Sequence, residues 1–214
     1  MVAAGAPAVS EARDAILARI KAAVGELHDA HPMTPPPPPG PQDEGVPADL
    51  LTARLKEYGV EVARCGEADL PALIQSRLEA RGSSRVAVPP GLPEAWRPAG
   101  AIVDDGLSAA MLDGLHAAIT GCTVAAAANG AIMLNAAADQ GRRALTLLVD
   151  HHLCIVREEQ IVTTVADAMQ RLLPHPGHHA PVTIFAGPSA TSDIELNRVA
   201  GVHGPRKLDV LIVS

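Results

Sequence analysis

Residues 48–88 read ADLLTARLKEYGVEVARCGEADLPALIQSRLEARGSSRVAV, and the fold turns on how their apolar positions are spaced. ADLLTARLKEYG and ADLPALIQSRLEARG carry the three- and four-residue spacing of a helix, whereas VEVARC, RVAV and the later AIVDD are short strand-like runs. Helix and strand alternate, which is the cadence of an α/β domain built on a mostly parallel sheet with helices on both faces. RVAV and AIVD are nearly continuous in apolar residues, as expected of strands covered on both sides. In such sheets ligands collect beyond the carboxyl ends of the strands, which points to the loops at 89–91 and 104–106.

Working towards the N-terminus, Ile16, Leu17, Ile20, Ala23, Val24 and Leu27 give one apolar helical face after Ser10. HPMTPPPPPGPQDEGVP follows, and its prolines favour an extended, semi-rigid spacer. No flanking basic residue completes a ligand motif for an SH3-like partner. The expected organisation is an N-terminal helix (1–30), a Pro-rich linker (31–47) and an α/β domain (48–214).

Apolar residues make up 48% of the 214, yet Tyr58, Trp96 and Phe185 are the only aromatics, so small aliphatic side chains must fill the core. The aromatic shortage and a net charge of −7 argue against nucleic acid as a partner. The start has no basic region followed by an apolar segment, and no run approaches the length of a membrane helix, so the expected location is the cytoplasm. Cys65, Cys122 and Cys154 form no CxxC pair and read as free thiols. Nucleotide-binding GxGxxG and GxxxxGK, the GxSxG elbow and HExxH are all absent.

The middle of the chain departs from the cadence. TVAAAANGAIML places Asn129 and Gly130 between apolar runs, which predicts a hairpin with a type I′ turn. ALTLLVD and HHLCIV read as a second strand pair, making 123–156 a β-rich insert; EEQIVTTVADAMQRLL reads as an amphipathic helix, and PVTIFA and LDVLIV as buried strands. In HHLCIV, strand alternation turns His151 and His152 to opposite faces, so they cannot share a metal. HPGHH at 175–179 is interrupted by Pro176 and Gly177 and lacks a fourth ligand; no metal site is assigned.

Residues 187–213, GPSATSDIELNRVAGVHGPRKLDVLIV, carry the densest chemistry. Ser192 and Glu195 fit a capping box, so a strand, a Gly187 turn and a helix N-terminus bring together the ingredients of an anion site. The same residues also have a purely structural reading, as satisfied caps and turns. Gly201 would cap the helix, and His203 and Arg206 would follow in a restricted turn. In a simple crossover this turn lies at the opposite sheet end from Ser189; if the chain returns to the same edge, the two converge. Arg142 and Arg143 offer one arginine for an anionic ligand and one for solvent.

The ordered set of GPS, Thr191, Asp193-Ile194-Glu195, the Gly201–Pro205 turn and the last strand, with QGRRALTLLVDHHLCIV upstream, resembles the lactate utilisation protein C family of LUD-domain proteins. The resemblance implies the fold type of ribose-5-phosphate isomerases, glucosamine-phosphate deaminases and CoA transferases, here with a β-hairpin insert. It also implies a part in oxidising L-lactate to pyruvate beside iron–sulfur subunits. The chain is then a non-redox accessory subunit that binds no cofactor itself, since three cysteines fall short of four cluster ligands. Alternatives are an independent enzyme or binding protein for a sugar phosphate, CoA ester or hydroxy acid, and a structural homo-oligomer. The family commonly flanks its hairpin glycine with hydroxyl residues, whereas Asn129 and Ala131 stand here. The candidate anion-binding set is Gly187, Ser189, Thr191, Ser192, His203, Arg206, Arg142, Arg143 and Gly130; no residue is assigned as catalytic.

Overall fold

The computed structural model describes residues 8–24, 46–172, 181–192, 198–200 and 204–214, and the chain divides into two units, Met1–Gly40 and Pro41–Ser214. In the first unit, helix α1 (Ala8–Val24) carries Ile16, Leu17 and Ile20 exposed at helical spacing. All other described elements belong to the second. Residues 31–45 of the linker and HPGHH at 175–179 lie outside the described residues.

Helix α2 (Pro47–Glu57) opens on a proline, whose missing N–H costs nothing in a first turn, and buries Ala48, Leu51 and Leu55. Strand β1 (Glu61–Cys65) follows. Helix α3 (Leu70–Arg81) buries Leu70, Ile74 and Leu78 and ends at Gly82, whose φ of 68° lets Ser83 N–H donate to the Leu78 carbonyl at 2.8 Å and Gly82 N–H to that of Glu79 at 3.0 Å. This left-handed closure sets Ser83 firmly at the sheet edge. The chain continues through β2 (Val86–Val88), β3 (Ile102–Val103), α4 (Ala109–Asp113), β4 (Ala117–Thr120), β5 (Val124–Ala126) and β6 (Ala131–Leu134). It then forms α5 (Arg143–Leu148), β7 (His151–Arg157), β8 (Ile161–Val162), α6 (Val165–Leu172), β9 (Thr183–Phe185), β10 (Ala190–Ser192), β11 (Arg198–Ala200) and β12 (Lys207–Val213).

Six strands form a wholly parallel sheet in the order β1-β12-β7-β4-β2-β3, as the helix–strand cadence predicts. A second sheet, β8-β5-β6-β9, packs with α2 over one face, where Leu55, Ile132, Cys154, Val210 and Ile212 share a core. Helix α3 covers the other face through Leu70, Ile74, Leu153, Ile155 and Leu211. Helix α6 closes the outer side of the second sheet with Ala168 and Leu172 against Val124 and Met133. As alternation requires, His151 points to the α3 face and His152 to the second sheet, both fully buried.

Several sequence expectations are corrected. ALTLLVD contains α5 and no strand, because Leu145 and Val149, four apart, pack against Ala87, Leu112 and Ala118. HHLCIV is therefore not half of a hairpin; β7 sits at the centre of the parallel sheet, and the antiparallel hairpin is confined to β5 and β6. That hairpin's turn is a single 3-10 turn at Ala127–Asn129 closed by Gly130 at φ 65°; Ala136 is the only described non-glycine residue with positive φ, so Asn129 does not adopt a type I′ geometry.

EEQIVTTVADAMQRLL is not one helix: Glu158–Gln160 form a 3-10 turn, Ile161–Val162 are strand β8, and the α-helix is confined to Val165–Leu172. Gln160 is drawn off to the Arg157 N–H (2.8 Å) and the Cys122 carbonyl (2.7 Å), and helix α6 starts after Thr164, whose hydroxyl accepts from Asp167 N–H at 3.2 Å. PVTIFA supplies β9, an outer strand with Ile184 54% exposed rather than a buried one. The helix expected from Ser192 is also absent at both its ends: Ser192 pairs with Arg198 in an antiparallel ladder of β10 and β11. Asp193-Ile194-Glu195, Gly201 and His203 lie outside the described residues.

Candidate ligand-binding site

A cavity of about 410 Å³ opens beside the N-terminal ends of β7 and β12, on the face covered by the second sheet. Its walls are Arg143, Thr146 and Leu147 of α5, His152, Leu208, β9, the turn from Ala186 to Ser189, and Gly204-Pro205. This is the opposite edge from the loops favoured by the sequence. Those loops are filled by protein: Gly91 N–H donates to the Ala138 carbonyl at 2.9 Å, and a methyl group at Gly91 would stand 2.5 Å from Ala138. Asp104, buried, is engaged by Arg142 through two contacts of 2.8 Å.

The β10–β11 ladder turns the chain back on itself, pairing Ala190 with Ala200, so the GPS turn and the Gly204-Pro205 turn meet on one edge. Ser189 N–H donates to the Pro205 carbonyl at 2.8 Å. Gly204, at φ 152°, holds a conformation that a side chain would strain, and its Cβ position lies 3.4 Å from Ser189.

Inside the cavity, His152 Nε2 lies 2.8 Å from the Thr120 hydroxyl, and its ring meets Phe185 edge-on at 5.3 Å. Burial, reinforced by repulsion from His151, lowers its pKa to about 3. His152 is thus a neutral hydrogen-bonding group across the physiological range. The cation at the mouth is Arg143, exposed and without a side-chain partner among the described residues.

The structure brings Gly187, Ser189 and Arg143 to this cavity, while Arg142, Arg206 and Gly130 do not line it. Arg142, itself exposed, is engaged by Asp104 and the Leu107 carbonyl. Arg206 pairs with Asp150 at the surface (3.2 Å). Gly130 packs on α2, its Cβ position 3.1 Å from Arg54. Thr191 and Ser192 stand in β10. Gly187 has a packing reason of its own, with Tyr58 3.0 Å from its Cβ position. Sequence reasoning missed His152, Thr146 and Thr183; the alternation of HHLCIV did separate the two histidines, but only the second sheet shows that His152 faces a cavity.

No helix among the described residues is long and apolar enough to cross a membrane. Residues 111–213 match the family model of the LUD domain, so the class defined here is a LUD-domain α/β protein. The chain is 41% identical over 212 residues to Lactate utilization protein C of Deinococcus radiodurans, covering 97% of this chain and 98% of that one. It belongs to the lactate utilization protein C family. The protein of that name from Bacillus subtilis is 33% identical over 101 residues, 45% of this chain and 41% of the relative. The crystal structure of a DUF162 family protein from Deinococcus radiodurans superposes with a TM-score of 0.69 at 36% identity, covering 81% of this chain and all of that one.

Proposed function

We propose that this chain is a cytoplasmic, non-redox accessory subunit of an iron–sulfur system that oxidises L-lactate to pyruvate, and that the Arg143–His152 cavity receives a small carboxylate. The observation that carries the reading is the near-full-length similarity to a protein named for lactate utilization. The cysteines support the non-redox part. Cys122 and Cys154 are buried, and the Cys122 thiol is pushed well above its ordinary range by the neighbouring Cys154 thiol and by burial, which opposes the thiolate a cluster needs. Clusters then belong to partner subunits, to which α1 offers its apolar residues.

Deleting the gene should abolish growth on L-lactate and leave growth on glucose unchanged, and the tagged protein should co-purify with iron–sulfur subunits. Normal lactate oxidation in the deletion strain, with no redundant route, refutes the role. A second reading, an independent binding protein or enzyme for an anionic metabolite, draws on Arg143, which has no side-chain partner among the described residues and lines the cavity. Calorimetry on the isolated protein separates the two: turnover of hydroxy acids, sugar phosphates or CoA esters without partners favours the second.

A further inference from the structure

A second cavity, of about 300 Å³, lies on the α3 face at the N-terminal ends of β4, β7 and β12, and shares no lining residue with the first. Its inner side is a polar network around a buried carboxylate, in which His151 Nε2 has no hydrogen-bond partner among the described residues. Asp209, fully buried on β12, accepts from Arg81 Nη2 at 2.6 Å, and its second oxygen stands 3.5 Å from His151 Nε2. His151 Nδ1 lies 3.0 Å from the Ser83 hydroxyl, which the glycine closure of α3 holds in place. Arg81 is thereby committed to Asp209 and not to any ligand.

The outer wall is not closed. His116 Nδ1 lies 3.2 Å from the backbone N–H of Ser84 and 3.4 Å from that of Arg85, with the Ser84 hydroxyl at 3.3 Å. Two backbone donors converging on one ring nitrogen make it an acceptor, which puts the ring hydrogen of neutral His116 on Nε2. Arg85 Nη2 stands 3.1 Å from that Nε2, so two N–H donors face each other at hydrogen-bonding distance. Both donors reach solvent, so water or an anionic oxygen can serve as their shared acceptor. An oxygen about 2.8 Å from each nitrogen completes the triangle.

Lys207 adds a positive charge with no side-chain partner among the described residues. Of the two carboxylates in the lining, Asp150 is already paired with Arg206, leaving Asp113.

We infer that this cavity is a binding site for a small oxyanion, the phosphate or carboxylate group of a metabolite. One oxygen accepts from Arg85 and His116 together, and Lys207 balances the charge. The site is independent of the lactate reading.

The test is an NMR titration of the full chain, labelled at histidine, with inorganic phosphate and separately with acetate. The His116 ring signals should move saturably with at least one anion. Arg85→Gln or Lys207→Met should weaken that affinity about tenfold, the loss of one charge-assisted contact, while Arg143→Ala leaves it unchanged. Both Arg85 and Lys207 are exposed, so neither change threatens the fold. Saturation by phosphate alone or acetate alone supports the site and fixes the group it takes. No saturable shift up to about 50 mM of either anion, roughly a hundredfold weaker than submillimolar binding, overturns it, as does an affinity that Arg85→Gln leaves intact.

Discussion

His152 ties stability to pH in a way that can be measured. In the folded chain its pKa is about 3, against an ordinary 6.5, because burial disfavours the cation and His151 repels it. A histidine whose folded pKa is lowered binds fewer protons folded than unfolded, so its contribution is intact above the unfolded value and is lost as pH falls from about 6.5 towards 3. At pH 5 the unfolded imidazole is about 1.5 pH units into its protonated range while the folded ring is still neutral, which costs about 2 kcal/mol at roughly 1.4 kcal/mol per unit. Urea unfolding of the wild type at pH 7 and pH 5 contains this loss together with those of all other titrating groups. His152→Gln keeps a hydrogen-bonding group for Thr120 and cannot titrate, so its stability should fall by about 2 kcal/mol less over the same interval. Equal losses in the two proteins would refute a buried neutral imidazole.

The neighbouring arginines should behave oppositely. Arg142→Ala leaves Asp104, whose side chain is 1% exposed, without its guanidinium partner, and should lower stability by about 2 kcal/mol in thermal or urea unfolding. Because that guanidinium, against the cost of burial, holds the Asp104 carboxyl below its usual range, its stabilisation is present at neutral pH and is lost as pH drops through the lowered value. The variant should therefore be flatter in acid. Arg143→Ala should leave unfolding unchanged but weaken L-lactate binding by calorimetry about tenfold or more, the usual worth of a charge-assisted contact. Gly91→Ala drives a methyl into Ala138 and should destabilise by about 2 kcal/mol; unaltered unfolding would show that residue 138 moves aside freely.

The sheet was legible because its strands obey local rules: VAV and LDVLIV are short, apolar but for Asp209, and bounded by turn residues. Residues 143–148 were not, since A-L-T-L-L fits both periods and only its packing on Ala87 and Ala118 selects the helix. Ser192 illustrates the converse failure. A serine three residues before a glutamate permits a helix start without requiring one, and pairing of Ser192 with Arg198 took precedence. The position of the cavity was partly legible, since the GPS turn was a candidate and lines it; what could not be read is that the usual carboxyl-edge site is occupied by residues 138–142, a tertiary event between segments some 50 residues apart in sequence, of which only Gly91 and Gly141 leave a local trace.

The cavity's chemistry is asymmetric, and that asymmetry bears on the ligand. Arg143 supplies a full positive charge at the solvent-facing mouth, where desolvation is small. His152 and the hydroxyls of Thr146 and Thr183 supply only neutral polar contacts, and Phe185 and Leu208 add apolar surface. A charge carried past Arg143 would lose its hydration against groups that cannot compensate it, since His152 stays neutral down to about pH 3. On the proposed reading the ligand therefore carries its negative charge at one end and a neutral hydrogen-bonding group at the other. L-Lactate has that pattern and propionate lacks its hydroxyl, so a site that reads the inner end binds propionate more weakly, and a site that reads only charge does not distinguish them.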